Sequence, residues 1–238
     1  MEGVAFIVIF ISTRRLNSTF SDAKRLSALF LFAVSLLFSG FVHSDQAQIN
    51  DENVIKYKLL VLGDSLSAAY GLTEKQGWVS LMADEWNREN TPIEVINAAI
   101  SGDTTDGGLA RLPRLLDLHE PTHLYIELGG NNGLQGHNPR AIKRNLAAKI
   151  ELAQENDINV ILQEIQIPTN YGRRYSSMFI DNYHQLAEEF DVPLVPFFLQ
   201  RIALDKSLMQ SDGIHPTAEA QPKIVDFVKP KLEAIILY

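Results

Sequence analysis

Tyr57-Lys58-Leu59-Leu60-Val61-Leu62-Gly63-Asp64-Ser65-Leu66 is the stretch that settles the fold class. Residues 59–62 are aliphatic without a break, so a strand here has no face to give to water and is buried on both sides. Gly63-Asp64-Ser65 then closes the run with turn residues. Outward from it, apolar runs at 93–98, 123–128, 158–164 and 193–196 read as further strands, and 57–62 is the first of five. Helical patterns lie between and after them, at 77–89, 104–117, 139–155, 176–190 and 217–236. Strands apolar on both faces, alternating with helices, predict a parallel sheet with helices on each side. The expected fold class is α/β: a three-layer α/β/α sandwich around five parallel strands.

In an open parallel sheet, ligands bind outside the carboxyl ends of the strands. Three chemistry-bearing residues fall there. Ser65 follows the first strand. Gly102 follows the second, in Asn97-Ala98-Ala99-Ile100-Ser101-Gly102-Asp103. Asn131 follows the third, in Leu128-Gly129-Gly130-Asn131-Asn132-Gly133. Near the C-terminus stands Asp212-Gly213-Ile214-His215-Pro216. A serine hydroxyl is a poor nucleophile at neutral pH unless an imidazole takes its proton and a third group fixes that imidazole. Asp212 and His215, three residues apart in a tight turn, can fold back onto each other. The carboxylate then accepts from one ring nitrogen and leaves the other to face Ser65, while Pro216 stiffens the exit. A tetrahedral intermediate also needs donors aimed at its oxyanion. The backbone N–H groups of Ser65 and Gly102 and the side-chain amide of Asn131 supply three.

Each piece alone is ordinary. Gly-Asp-Ser is a common turn, D-x-x-H a common surface turn, Gly102 a turn glycine and Asn131 a loop residue. Their joint occurrence at successive strand ends points to a serine hydrolase working through an acyl-enzyme. The G-x-S-x-G elbow of the α/β-hydrolases does not fit, because Ser67 stands at its second glycine position.

These four blocks resemble the SGNH, or GDSL, hydrolases, from about Tyr57 to about Val228. Gly63 to Gly71, Pro168 to Tyr175 and Asp212 to Pro216 are similar to the bacterial periplasmic thioesterase I/protease I/lysophospholipase group within that family. The resemblance implies a flavodoxin-like strand order. It makes Ser65 the nucleophile, Gly102 and Asn131 oxyanion donors beside the Ser65 N–H, and Asp212 and His215 the rest of a triad. It also implies that Gly133, Leu134, Ile165, Ile167 and Pro168 border an acyl pocket, which favours a fatty acyl group over a sugar acetate. Read from the residues, the glycine-containing loop 133–139 either moves over an acyl chain or simply connects strand to helix, and Arg173 and Arg174 either meet a phosphate or coenzyme A group or form a solvated helix start. One position departs from the pattern. The family commonly has Gly-Asn-Asp in its third block, and here Asn132 follows Asn131. Reduced or retuned activity rather than none is expected, and if Asp is the better partner for this loop, Asn132→Asp is at least as active as the parent. A carbohydrate or aryl-ester deacetylase and a catalytically idle binding protein are the alternatives on the same scaffold.

Composition sets the outer limits. The chain has 238 residues, 46% of them hydrophobic, which suits one domain with a substantial core. Its formal charge is −8, and −10 beyond residue 44, so nucleic acid and anionic membrane surfaces are poor partners. There is no cysteine, which excludes disulfides, a thiol nucleophile and a lipoprotein anchor. The six histidines lack metal-binding spacing, so neither metal nor cofactor is implied. The expected partner is a small acyl ester or thioester, a lysophospholipid among the candidates, and the expected state is a monomer.

Residues 1–44 read differently. Lys24-Arg25 precede the apolar run Leu26 to Gly40, and Val42-His43-Ser44 offers a small-residue cleavage site, in the order of a secretory signal peptide. The apolar run is shorter than the roughly 20 residues that span a membrane. Met1 to Asp22 is an unusual prefix, accounted for by a later translation start near Leu16 or by an uncleaved membrane anchor. The expected organisation is an extension plus signal peptide at 1–44, a polar linker at 45–56 and a hydrolase domain at 57–238, with the mature protein exported to a bacterial periplasm.

Overall fold

The computed structural model describes residues 56–238. The signal peptide and nearly all of the linker expected from the sequence lie outside the described residues. Five strands form one sheet: β1 (Tyr57–Gly63), β2 (Ile93–Asn97), β3 (His123–Glu127), β4 (Asn159–Gln163) and β5 (Leu194–Val195). All are parallel, in the order β2-β1-β3-β4-β5. The register sets Leu59 opposite Val95 on one side and His123 on the other, so the carboxyl ends of β1, β2 and β3 come out side by side.

Alternation along each strand explains the two cores. In β1, Leu60 and Leu62 point to one face and Leu59 and Val61 to the other. The first face is covered by α2 (Thr105–His119), α4 (Pro139–Gln154) and α5 (Arg173–Glu189), which bury Leu112, Leu146, Phe179 and Tyr183 against it. The second is covered by α1 (Trp78–Arg88) and α6 (Gln221–Ile236), which bury Trp78, Trp86, Ile224 and Leu232. This is the three-layer sandwich, with the strand order that the family resemblance implied.

Two elements differ from expectation. The last strand is only Leu194–Val195, two residues. Pro193 and Pro196 flank it, and proline has no N–H to extend a ladder. A short helix, α3 (Gly130–Leu134), occupies a segment expected to be loop. Its sequence Gly-Asn-Asn-Gly-Leu is poor in helix formers, so propensity hides it. Order 2-1-3-4-5 reverses direction after β2, and the resulting switch point lies between the carboxyl ends of β1 and β3, where such folds bind ligands.

Candidate active site

The turn after β1 carries Ser65, and the loop before α6 carries Asp212 and His215. The fold brings them together. Ser65 Oγ lies 2.8 Å from His215 Nε2, and His215 Nδ1 lies 2.7 Å from Asp212 Oδ2. The second carboxylate oxygen of Asp212 accepts from the N–H groups of Ile214 and His215, at 2.9 and 3.0 Å. The three-residue spacing thus works as its geometry suggested: the turn hydrogen-bonds its own backbone and the imidazole at once. Partial burial works against ionisation of Asp212, but the His215 ring and the two backbone N–H groups outweigh it and hold the carboxyl down to about 2. An ionised Asp212 accepts from Nδ1–H and leaves Nε2 free to accept from Ser65.

The expected oxyanion donors sit around Ser65. No acceptor among the described residues takes the N–H of Ser65 or of Gly102. Gly102 has φ +82°, a left-handed conformation that a side chain would strain, although the space beside it is open. Asn131 stands in the first turn of α3, and its amide nitrogen donates to Asp64 Oδ2 at 3.1 Å and to the Asp103 carbonyl at 2.8 Å. The amide therefore ties together the residue before Ser65 and the residue after Gly102. An incoming oxyanion has to compete with the longer of these bonds, to Asp64.

Beneath the turn lie two acids that sequence reasoning missed. Asp64 is 3% exposed and Glu127, at the end of β3, is fully buried. Glu127 Oε2 accepts from the Asp64 N–H at 3.2 Å and from Ser67 Oγ at 2.8 Å. Ser67, where a G-x-S-x-G elbow has glycine, is thus used for its hydroxyl. Burial pushes the Asp64 carboxyl up to about 6, against the pull of the Leu66 N–H and His215. Burial, with Asp64 close by, pushes the Glu127 carboxyl well above its ordinary range. Two like charges in one buried site disfavour each other, and that repulsion adds to the upward push of burial on Glu127.

A second network holds the Gly102 loop. The Arg111 guanidinium pairs with Asp103 at 2.7 Å and donates to the Ala98 carbonyl. Under the N-terminus of α2, the fully buried Lys149 donates to the carbonyls of Thr105 and Asn145, at 2.6 and 2.9 Å. Burial lowers its ammonium to about 7, with Asp103 and Asp106 opposing.

Asn132 belongs to this network, and its partners argue against a more active aspartate variant. Its side-chain oxygen accepts from the Thr105 N–H at 2.7 Å, and its nitrogen lies 3.3 Å from Asp106 Oδ1 and 3.0 Å from His137 Nδ1. An aspartate here would keep the first bond and set a carboxylate against Asp106. Asn132→Asp is therefore expected to destabilise the protein by about 1.5–3 kcal/mol, the cost of a lost hydrogen bond to a charged group, and to lower activity. Asp106→Asn should restore most of that loss in the double variant. Denaturant unfolding of the parent, both single variants and the double variant checks this; an Asn132→Asp variant as stable as the parent refutes it.

The expected substrate-binding residues divide. Ile165 and Ile167, expected to offer apolar surface, are 2% and 7% exposed and belong to the core; Pro168 is exposed. The reason is local. Ile167 packs directly under Gly133, and Ile165 reaches towards Gly130, so both form the floor beneath α3. Gly133 is itself buried and Leu134 half-buried. Loop 133–139, which could either move or simply connect, is tethered. Tyr171 donates to the Leu134 carbonyl at 2.7 Å and Tyr175 to the His137 carbonyl at 2.6 Å. Arg173 and Arg174 are exposed at the start of α5.

A profile of the GDSL-like lipase/acylhydrolase family matches residues 61–221, a span that holds every residue of this constellation. The chain belongs to this family. It is 49% identical over 175 residues to an arylesterase from Vibrio mimicus, covering 74% of this chain and 88% of that protein. Over 178 residues it is 44% identical to the thioesterase 1/protease 1/lysophospholipase L1 of Escherichia coli K12, covering 75% of this chain and 84% of that one. Among solved structures it resembles the psychrotrophic esterase EstA from Pseudoalteromonas sp., inhibited by monoethylphosphonate. The TM-score is 0.75 at 43% identity, over 76% of this chain and 100% of that one.

Proposed function

We propose that this family member is a serine esterase and thioesterase that hydrolyses acyl esters through an acyl-enzyme on Ser65. The observation that carries the assignment of residues is the hydrogen-bonded line from Ser65 Oγ through His215 to Asp212, at 2.8 and 2.7 Å. As Ser65 Oγ attacks the acyl carbonyl carbon, His215 Nε2 takes its proton and the carbonyl oxygen becomes an oxyanion. The N–H groups of Ser65 and Gly102 and the Asn131 amide receive it. Collapse expels the alcohol or thiol, which leaves with the proton from His215. Water then attacks the acyl-serine, giving its proton to His215, and release of the acid returns a proton to Ser65.

For the acyl part we favour an apolar chain. Ile100 and Ile214 are large apolar residues left 53% and 41% exposed. Ile214 precedes His215, and Ile100 is two residues from Gly102. An apolar rim around the nucleophile suits a hydrocarbon chain better than a sugar acetate. A p-nitrophenyl ester series from acetyl to palmitoyl, with acyl-coenzyme A and lysophospholipid alongside, tests this. Rates that peak at acetyl and vanish for longer chains would favour the deacetylase instead. Failure of a fluorophosphonate to label Ser65 would remove the hydrolase assignment to that residue.

Export is also proposed. Its support is the sequence order of Lys24-Arg25, the apolar run Leu26 to Gly40 and the small residues before Asp45. N-terminal sequencing of protein from the native host should find a start near Asp45 or Gln48; an intact Met1 on a membrane-bound protein would replace the signal peptide with an anchor.

A further inference from the structure

His215 is held along its edge by Ser65 and Asp212, and one face of its ring is covered as well. The Tyr70 ring lies against it, with centroids 4.3 Å apart and planes tilted by 34°. This is not core packing, since Tyr70 is 49% exposed and belongs to neither hydrophobic layer.

The backbone is bent to present the ring. Ala69 has φ +56° and Gly71 φ +75°, so Tyr70 sits between two left-handed residues, one of them carrying a side chain. A Cβ on Gly71 would lie 2.4 Å from Gln210 Oε1. That close approach serves a clamp. The Gln210 side-chain amide donates to the carbonyls of Tyr70 and Pro216, at 2.8 and 3.0 Å, while the Gln210 backbone N–H donates to the His215 carbonyl at 2.7 Å. One residue therefore sets the Tyr70 segment and the His215 loop in fixed register. The Tyr70 N–H also bonds the Ser65 carbonyl at 3.2 Å, which ties the same segment to the nucleophile's turn.

We propose that Tyr70 is a positioning residue for His215: its ring keeps the imidazole in the plane that joins Ser65 to Asp212, and it stabilises the imidazolium formed when Ser65 gives up its proton. This rests on the triad assigned above. The face of an aromatic ring is electron-rich and attracts a cation more than a neutral ring. The contact is therefore stronger once His215 is charged, and an interaction that strengthens on the way to the transition state raises kcat. Asp212 supplies the opposite charge at the edge of the imidazolium, and Tyr70 covers its face.

Y70F and Y70L separate the ring from mere bulk. On a short-chain p-nitrophenyl ester, Y70F should keep kcat near the parent's, whereas Y70L should lower it about 3- to 30-fold, the span of a cation–π contact, with KM little changed. Thermal melts confirm that both variants fold. In an H215A background, Y70L should change nothing further. Equal kcat for Y70L and Y70F overturns the proposal, as does an effect confined to KM, which would make Tyr70 a substrate wall. A further loss in the H215A background also overturns it, because Tyr70 would then act elsewhere. If H215A itself keeps full activity, the triad assignment fails, and the Tyr70 proposal falls with it. If H215A is inactive while Y70L matches Y70F, only the Tyr70 proposal fails.

Discussion

Ser65→Ala is expected to lower kcat on a short-chain p-nitrophenyl ester by roughly 10⁶-fold, to the residual rate that oxyanion donors and binding supply without a nucleophile. The expectation is this large because Ser65 Oγ is the atom that becomes acylated, and nothing beside it can take its place. Asp64 and Glu127 lie beneath the turn, and both are committed there to the Leu66, Asp64 and Ser67 donors. The fold should be indifferent to the change. The Ser65 hydroxyl bonds His215, while the turn itself is held by backbone bonds such as Ala68 N–H to the Asp64 carbonyl at 2.9 Å. Thermal melting of the variant should match the parent, and a fluorophosphonate should no longer attach. Turnover within tenfold of the parent in a well-folded variant would mean that the reaction does not pass through Ser65.

What could be read from the chain follows from which interactions are local. Burial of β1, β3 and β4 on both faces leaves a continuous apolar run in each, so their existence and the parallel sheet were visible before any coordinates. The strand ends were visible for the same reason, and with them the places of Ser65, Gly102 and Asn131. Asp212 and His215 meet across three residues, and their hydrogen bond is a property of one turn. The strand order was a matter of family likeness, because no periodicity encodes which strand lies beside which.

The parts that escaped are those made by residues far apart in the chain. Glu127 lies in a strand and looks like an edge charge, yet its partners are 60 and 63 residues away. Lys149 reads as a solvated helix lysine, and its amine is buried on the Thr105 carbonyl, 44 residues away. Asn132 seemed a weakened version of a family aspartate. Its meaning depends on Asp106 and His137, which no single-position comparison brings into view. Ile165 and Ile167 erred the other way: apolar residues near a predicted site were taken for pocket lining, when the buried side of α3 needed them as its floor. A signal did exist for the tether of loop 133–139, since Tyr171 and Tyr175 sit inside the stretch quoted for the family likeness. Their phenols end near apolar surface and need acceptors, which the Leu134 and His137 carbonyls provide.

Asn131→Ala carries the second large expectation: kcat lower by roughly 10²- to 10³-fold, the usual cost of one oxyanion donor, with KM changed far less. In the resting enzyme both amide hydrogens of Asn131 have acceptors, the Asp64 carboxylate and the Asp103 carbonyl. The Asp103 bond is shorter and fixes the side chain, so the hydrogen directed at Asp64 is the one an oxyanion can share. That bond forms only as charge develops on the carbonyl oxygen, which is why the loss should fall on kcat. Phosphonylation of Ser65 passes through a similar oxyanion, so the inactivation rate by a fluorophosphonate should fall in step with kcat. A loss of the Asp103 tether alone would act differently. It would loosen the Gly102 loop, lower the melting temperature and affect every substrate's KM. A raised KM with unchanged kcat, or an unchanged rate of phosphonylation, would therefore make Asn131 a brace for the Asp64 and Asp103 segments and remove it from the oxyanion hole.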